Sequence, residues 1–522
     1  MSCSKIFSGY LPELTYGIIK YFHSDYSTLH SCILVNRLWC NLAIPLLWEN
    51  PFSISTENYD FIKIYLNNYL NDDDLKTKFN EYKTIYNLSP SNTLFNYPRF
   101  LKYLNTFEII SCIKSWSRSL KHEKPKFIKL VYTTLFKIFI ENEVNLHLFK
   151  IEITVDYYDY FNDISELILQ NTTFIYNIKN LNLRIGDNSL RHRNLSSDEH
   201  ILIRNRILQI INLHQNFKEI SFYYDYYPLY QSLLNDYNYS NTLKSIILCH
   251  VDFEGITNLT EIFEQLHVLE SVHILDCISL NISFVQQIIN LTKPFKLKSL
   301  FVDRLSQIEP LELLLRKSGD YLENFGFSIS NLNSIQLLLQ QQLLELTVKY
   351  CKNINYLYFG GIVSQIAYLI LKLIENNQNL NYLFISTKND NTKIECGSII
   401  LQNLGQILPS KLEYLNLVLA IEESDFEIFL KNSQDTFIRK LLFYSLISQN
   451  ILPPIKEHIM KKKRTKYLST IIPFSEEGLL FDECTDLGTL EDEVKEFGLY
   501  NIEVKCYYSL LMYKYDFIKG IN

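Results

Sequence analysis

One short hydrophobic pattern recurs along most of this 522-residue chain and limits its possible folds more than any other feature. In each copy an apolar residue is followed by two residues, a second apolar residue, one residue and a third apolar residue. Alternation at the end of the pattern places side chains on one face of a short strand. The stretches that follow, such as Ser283–Leu291 and Ser334–Leu346, carry apolar residues at helical spacing. The pattern therefore predicts strand–helix units in succession.

The copies follow one another at nearly regular intervals of 25 to 39 residues. They begin at Leu148, Ile178, Phe217, Leu243, Leu269, Leu297, Leu322, Ile354, Leu380, Leu412 and Ile438. A degenerate copy around Leu468 and Ile471 and a further copy at Leu499 extend the series. One strand and one helix cannot bury their own apolar faces, so neighbouring copies must stack. We therefore predict an α/β fold of stacked units.

Charge and composition argue against several classes of protein. The net charge of −7 and the pI near 5.9 disfavour nucleic-acid binding, because phosphate contacts need a basic surface. The chain has no apolar run of 18 residues, so we predict no membrane span. The opening residues MSCSKIFSGYLPEL do not have the regions of a secretory signal. The ten cysteines are scattered without a CxxC pair, as in a reduced intracellular protein, and we expect it in the cytoplasm, the nucleus or both.

Catalytic signatures are missing from the sequence. It contains none of the motifs GxxxxGK[ST], GxGxxG, GxSxG and HExxH. Cys249 and His250 are neighbours, but adjacent side chains of a strand point to opposite faces. The eleven histidines show no metal-ligand spacing. We predict no catalytic residue, no cofactor and no metal, and an enzyme is only a weak alternative.

The repeated pattern resembles that of the leucine-rich-repeat family over about three quarters of the chain. The best single match is LESVHILDC, Leu269–Cys277, in which Cys277 falls on the family's Asn/Cys position. Val251, Leu305 and Ile362 stand at that position in other copies. The resemblance implies a solenoid over residues 146–522, with parallel strands on its concave face and helices outside.

The stretch ahead of the repeats predicts three short helices. Pro12 suits a first helical turn, Ser27 or Thr28 can cap a second helix, and Asn36 marks a turn before the third. About forty residues in three short helices bury too little surface to be stable alone. The segment therefore needs a partner surface. Periodicity leaves two candidates open, namely another protein or the following repeats, on which the helices would form a cap.

The spacing of LPEL, LHSC, LVNRLWCNLA and PLLW in this stretch resembles an F-box. Leu11–Leu14 matches the opening Leu-Pro motif of that family, although it is one residue shorter than the commoner form. Val35, Arg37 and Trp39 match the middle of the motif, and Pro45–Trp48 matches its end. The resemblance implies an F-box over residues 1–52, a helical connector over 53–145, and then the repeats.

The F-box resemblance also implies a function. F-box proteins bind the Skp-type adaptor of a cullin–RING ubiquitin ligase and hold a protein substrate with a second domain, without performing chemistry themselves. The residues implied in adaptor binding or its supporting core are Leu11, Pro12, Leu14, Ile18, Val35, Trp39, Leu46, Leu47 and Trp48. The alternative is a leucine-rich-repeat scaffold that binds a protein without any connection to ubiquitination.

Aromatic residues mark a candidate substrate surface on the repeat strands. Residues between the buried apolar positions of a strand point to the opposite, concave face. Adjacent strands lie about 4.8 Å apart, so rings from neighbouring repeats would form one exposed patch. The candidate residues are Phe301, Tyr356, Tyr358, Tyr382, Phe384 and Tyr414. The other interpretation is a cross-strand ladder that only stabilises the sheet.

Overall fold

The structure is a computed structural model. It describes residues 12–23, 25–54, 59–67, 73–82, 93–121, 124–153, 158–176, 178–185, 197–213, 216–223, 241–303, 305–328, 334–389, 393–433, 436–447, 449–473, 484–518 and 520. Leu11, one of the predicted adaptor contacts, lies outside these ranges.

A strand is present at each of the eleven predicted repeats. The strands are β1 (Tyr103–Asn105), β2 (Leu148–Ile153), β3 (Asn180–Ile185), β4 (Glu219–Tyr223), β5 (Ser245–Cys249), β6 (Ser271–Leu275), β7 (Leu297–Val302), β8 (Asn324–Ser328), β9 (Tyr356–Ile362), β10 (Tyr382–Thr387), β11 (Tyr414–Leu419), β12 (Ile438–Ser445), β13 (Thr465–Pro473), β14 (Cys484–Asp486) and β15 (Glu503–Val504). The predicted copies correspond to β2 through β12, the degenerate copy to β13, and the copy at Leu499 to β15.

Helices alternate with these strands. They are α1 (Pro12–Tyr21), α2 (Tyr26–Ile33), α3 (Arg37–Leu47), α4 (Phe61–Asn67), α5 (Asp73–Asn80), α6 (Thr106–Ser119), α7 (Pro125–Glu141), α8 (Tyr158–Gln170), α9 (Ser197–Asn212), α10 (Leu259–Gln265), α11 (Ile282–Ile289), α12 (Glu309–Ser318), α13 (Ser334–Tyr350), α14 (Ser364–Asn376), α15 (Lys393–Ile407), α16 (Glu423–Asn432), α17 (Leu452–Ile455), α18 (Glu491–Gly498), α19 (Tyr507–Leu510) and α20 (Lys514–Ile518). Within the described ranges, none of them is both long and apolar enough to cross a membrane.

The chain divides into two compact units, with the division in and around β5 and α10. In the first unit β1, β2, β3 and β4 pair in chain order, all parallel. In the second unit the strands from β6 to β13 also pair in chain order and parallel. There β14 adds antiparallel to one part of β13, and β15 adds parallel to another. The α/β class and the parallel pairing are therefore confirmed, and the arrangement is consistent with a solenoid-like fold.

Strand β12 illustrates how helices cover one face of the sheet in the second unit. Phe443 of β12 packs its ring against Phe426 and Phe429 of α16, and all three side chains are buried. The helices from α11 to α16 each contact the next one in the chain, so they form a layer beside the strands. Burying a side chain of this size contributes about 1.5–3 kcal/mol. The core lies between these two layers, and the opposite face of the sheet is left for other contacts.

The predicted helical connector contains a strand that periodicity missed. Strand β1 is only three residues long, too short for an alternating pattern to appear. The carbonyl oxygen of Glu49 accepts hydrogen bonds from the amides of Lys102 and Tyr103, at 2.9 and 3.1 Å. The carbonyl oxygen of Lys102 is bonded in the same way by His147 and Leu148. The regular strand pairing therefore begins ahead of the first copy that the sequence reveals.

Asn377 is a buried polar side chain that joins two successive repeats. It ends α14, and its Nδ2 donates to the carbonyl oxygen of Leu373 at 2.8 Å. Its Oδ1 accepts the amide of Ile354, which enters β9, at 3.2 Å. An amide is suited to this position because it donates in one direction and accepts in another.

Replacing Asn377 by leucine is predicted to destabilise the chain. The variant leaves a buried amide and a buried carbonyl without these partners, which costs about 1–3 kcal/mol for each unsatisfied group. Urea unfolding followed by circular dichroism measures the change. The control is Gln378→Leu at the exposed neighbouring position, and equal midpoints for the two variants would contradict the role given to Asn377.

Candidate protein-interaction sites

The first three helices have a small core of their own. Their buried members are Ile19, Leu29, Cys32, Trp39, Ala43 and Leu46, with Phe22, Ile33, Leu42 and Leu47 packed against them. Helix α1 begins at Pro12, as predicted. Asp25, rather than Ser27 or Thr28, caps α2 by accepting the amide of Thr28. Asn36 does more than mark a turn, because its side chain caps α3 by accepting the amide of Trp39 at 3.0 Å.

Four of the predicted adaptor contacts are exposed. Leu14 is 50% exposed, Ile18 41% and Val35 54%, and Pro12 is also exposed. Positions four apart on a helix lie on the same face, so Leu14 and Ile18 form one apolar surface of α1. Val35 lies in the turn between α2 and α3, beside Leu34, which is also exposed. These side chains are available to a partner.

The other predicted contacts hold the helices in place. Trp39 and Leu46 are buried in the core of the three helices, and Leu47 packs against it. The ring of Trp48 contacts Tyr97 at a centroid distance of 4.2 Å and Tyr65 at 5.2 Å, edge to face. Trp48 therefore attaches the three helices to the residues that follow. Sequence alone could not sort these residues, because both groups are apolar and close to one another in the chain.

The candidate substrate residues form a continuous set of ring contacts on the sheet of the second unit, on the face opposite the helices. Strand register places Tyr382 between Tyr356 and Tyr414, with centroids 6.3 Å away on each side. The rings of Tyr358 and Phe384 stack at 4.4 Å with an interplanar angle of 7°. Rings from neighbouring strands therefore contact one another along this face.

A chain segment, residues 505–518, covers this patch. Phe517 stacks on Tyr356 at 4.5 Å and also contacts Tyr382 at 4.7 Å. Tyr507 donates its hydroxyl to Oδ1 of Asn416 at 2.8 Å. The amide of Met512 donates to the hydroxyl of Tyr414 at 3.3 Å. We call residues 505–518 the covering segment.

The expectation of an exposed patch is wrong for three of the six candidates. Phe301, Tyr356 and Tyr414 are at most 1% exposed, whereas Tyr358, Tyr382 and Phe384 remain partly exposed. The covering segment contributes to this burial, and its short helices carry no repeat pattern that could reveal it from sequence. Substrate binding by these six residues stays a prediction.

An acidic pocket adjoins the aromatic patch. His250, Asp276 and Asp303 each follow directly after a strand, β5, β6 and β7 respectively, and offer polar atoms within 4.8 Å of one another. The ammonium group of Lys514, from the covering segment, forms an ion pair with the nearly buried Asp276 and lies 3.7 Å from Oδ1 of Asp303. Sequence reasoning missed this group because it searched for ligands within local motifs. The shared position after three successive strands was the available signal.

Two aromatic rings form the walls of the pocket. The Nζ atom of Lys514 lies 5.3 Å from the ring centroid of Tyr358 and 5.7 Å from that of Phe301. Gly326 stands between these two residues in the strand register, and its missing side chain lets the rings approach to 6.4 Å. An ammonium over aromatic faces gains about 0.5–2 kcal/mol from each such contact. The pocket is thus suited to a basic side chain.

Burial and charge set the protonation of the pocket. Burial, followed by the neighbouring carboxylate of Asp276, raises the pKa of Asp303 to about 6, while Lys514 and His250 oppose this shift. Burial alone would lower the pKa of Lys514, but the two carboxylates outweigh it, and the net shift of that pKa is upward. The lysine therefore stays charged at neutral pH. The same three donors could hold a divalent cation only if the ammonium group moved away.

Replacing Gly326 by alanine is predicted to destabilise the second unit. A Cβ atom there would overlap the backbone oxygen of Tyr358, so the two strands would have to move apart. Overpacking of this kind costs about 1–3 kcal/mol, measured as a lower urea midpoint. Gly498→Ala is the control, because a Cβ atom at that position meets nothing within 4 Å. Equal midpoints for both variants would reject this explanation of Gly326.

No protein-family model matches this chain, and a comparison with curated proteins gives no match either. The functional argument therefore depends on the residues and surfaces described above.

Proposed function

We propose that this protein is the substrate-recognition subunit of a cullin–RING ubiquitin ligase. Its first three helices act as an F-box for a Skp-type adaptor, and its strand–helix units act as leucine-rich repeats that hold a protein substrate. The observation that supports this most is the exposed apolar surface of Leu14, Ile18 and Val35 on a helical unit that has a buried core of its own.

Exposed aliphatic side chains at these positions favour a binding surface. Each is about half exposed, so a partner that buried it fully would add about half of the 1.5–3 kcal/mol that burying a whole aliphatic side chain contributes. An apolar helix face that docks in a hydrophobic groove is a common mode of protein recognition. Helix α1 offers such a face with side chains at positions 14 and 18, and Val35 offers a further contact in the α2–α3 turn. A partner with an apolar groove fits both features.

One observation favours the alternative, a repeat scaffold without a ligase. The ring of Trp48 packs on Tyr65 and Tyr97, and the carbonyl oxygen of Glu49 accepts the amide of Lys102. Such contacts are expected if the three helices only cap the following chain. A cap, however, leaves the exposed fractions of Leu14, Ile18 and Val35 unexplained. We therefore rank the adaptor function first, with Trp48 as its attachment to the rest of the chain.

Binding of the full chain to the Skp-type adaptor of the same organism tests the proposal. We expect a stoichiometric complex on size-exclusion chromatography. The double variant Leu14→Ser, Ile18→Ser should weaken it at least about tenfold, because each change forfeits about 0.8–1.5 kcal/mol of apolar burial and about 1.4 kcal/mol is a factor of ten in affinity. Isothermal titration calorimetry gives the dissociation constants.

A matched control separates a binding defect from a general effect of surface polarity. Tyr368→Ser removes an exposed apolar side chain on α14, far along the chain from the proposed interface, and should bind the adaptor like the wild type. Circular dichroism establishes that all variants are folded. A folded wild-type chain that does not bind the adaptor would leave the capping role as the better explanation of α1, α2 and α3.

A further inference from the structure

The covering segment crosses the second unit's sheet face from one end toward the other. It starts beside β13, where the amide of Lys505 bonds the carbonyl oxygen of Leu468 at 3.1 Å. It passes Asn416 on β11 at Tyr507 and reaches Asp276, directly after β6, with Lys514. Three residues later, Phe517 contacts Tyr356 on β9 and Tyr382 on β10. Seven strand spacings at about 4.8 Å each correspond to roughly 34 Å. A peptide of this length thus fits on the face.

Two side chains of the segment make the most specific contacts. Lys514 inserts its ammonium group between the carboxylates of Asp276 and Asp303, against the rings of Phe301 and Tyr358. Phe517, three residues later, stacks on rings of the aromatic patch. A basic residue and an aromatic residue three positions apart lie on one side of a single helical turn. The face thus offers one site for a basic group and one for an aromatic ring.

The geometry points to a peptide-binding groove on this face, and we propose that the covering segment occupies it as a stand-in for the substrate. The inferred substrate class is a protein segment that carries a lysine or arginine followed three positions later by an aromatic residue. This inference names the chemistry of the substrate. It rests on the proposed function, which says that the bound protein is then ubiquitinated.

Several features suit the segment to displacement. Its helices α19 and α20 contain only four and five residues, so packing rather than helix propensity holds them. Tyr508 and Tyr513 are 70% and 59% exposed. A tethered segment competes at an effective concentration of about millimolar, so a substrate must bind well to replace it. The stand-in thereby excludes weak ligands.

Charge provides the selectivity of the groove. A glutamate in place of Lys514 would face the carboxylates of Asp276 and Asp303, one of them nearly buried, and Asp276 would lose its ion pair with the lysine. The titratable group that remains within 4.8 Å of both carboxylates is His250. Leaving a buried charge without its partner is strongly unfavourable. Lys505 offers a contrast within the same segment, because it is half-exposed and its ion pair is with Glu503 at 3.3 Å. The same substitution at the two lysines therefore separates pocket binding from net charge.

The test measures binding of a fluorescent peptide with the sequence of residues 505–518, with serine in place of Cys506, to the full chain. Fluorescence anisotropy compares the wild-type chain with the Lys514→Glu and Lys505→Glu chains. Lys514→Glu should expel the segment and bind the wild-type peptide at least about tenfold more tightly than the other two chains do, because it removes the tethered competitor. Hydrogen exchange over residues 505–518 reports the expulsion directly.

The peptide variants give the reciprocal result. Against the Lys514→Glu chain, a peptide with Lys514→Glu should lose at least about tenfold in affinity. A peptide with Lys505→Glu should lose little, because the side chain at position 514 lies in the acidic pocket and the side chain at position 505 does not. The chain Phe517→Ser provides a second route to release of the segment should Lys514→Glu not fold.

Two outcomes would overturn the inference. One is a segment that stays protected from exchange in both the Lys514→Glu chain and the Phe517→Ser chain, which would make it a fixed structural element. The other is a released segment with no peptide binding, or with equal binding of both charge-reversed peptides. Adaptor binding is measured separately. Its loss with peptide binding intact would reject only the ligase function, and the converse would reject only the groove.

Discussion

The structure depends on the hydrogen bonds and apolar contacts that each strand–helix unit makes with its neighbours. A single unit has an apolar strand face and an apolar helix face that it cannot bury, so its stability comes from the units on either side. In the second unit this produces a parallel series from β6 to β13 with one helix-covered face, where Phe443 meets Phe426 and Phe429. The opposite face then becomes a regular array on which side chains from different repeats meet.

That array explains how residues far apart in sequence form one surface. Tyr356, Tyr382 and Tyr414 come from three repeats, yet strand register makes them direct neighbours. Asp276 and Asp303, each one position past the end of its strand, also come close together. The covering segment uses both groups at once, with aromatic stacking for Phe517 and charge pairing for Lys514. The first three helices follow a different rule, since their core is local and their outer face stays apolar.

The sequence predicted the strands well because each copy has its own hydrophobic signature. It also predicted that the rings of Tyr356 and Tyr382 would be adjacent, since strand alternation and strand spacing fix such positions. It failed for β1, whose three residues are too few for a pattern, and for the burial of Tyr414. That burial involves a segment held by long-range contacts, which no local periodicity encodes. The sequence also could not show that Trp48 holds the helices to the following chain while Leu14 is exposed, because that depends on which neighbours surround each side chain.

The turn that follows β5 and the turn that follows β6 share a feature with a consequence for how this surface can diversify. His250 and Asp276 both have a left-handed backbone, with φ of 53° and 51°. Residues with short polar side chains, histidine and glycine tolerate this conformation, whereas β-branched residues do not. Asp, Asn, His and Gly therefore fit these two positions with the least strain, although unbranched residues such as Lys121 and Ser279 adopt the same conformation elsewhere in this chain. Three of these four are polar, so random change at this edge would tend to exchange one recognition chemistry for another while the strands beneath it keep their register.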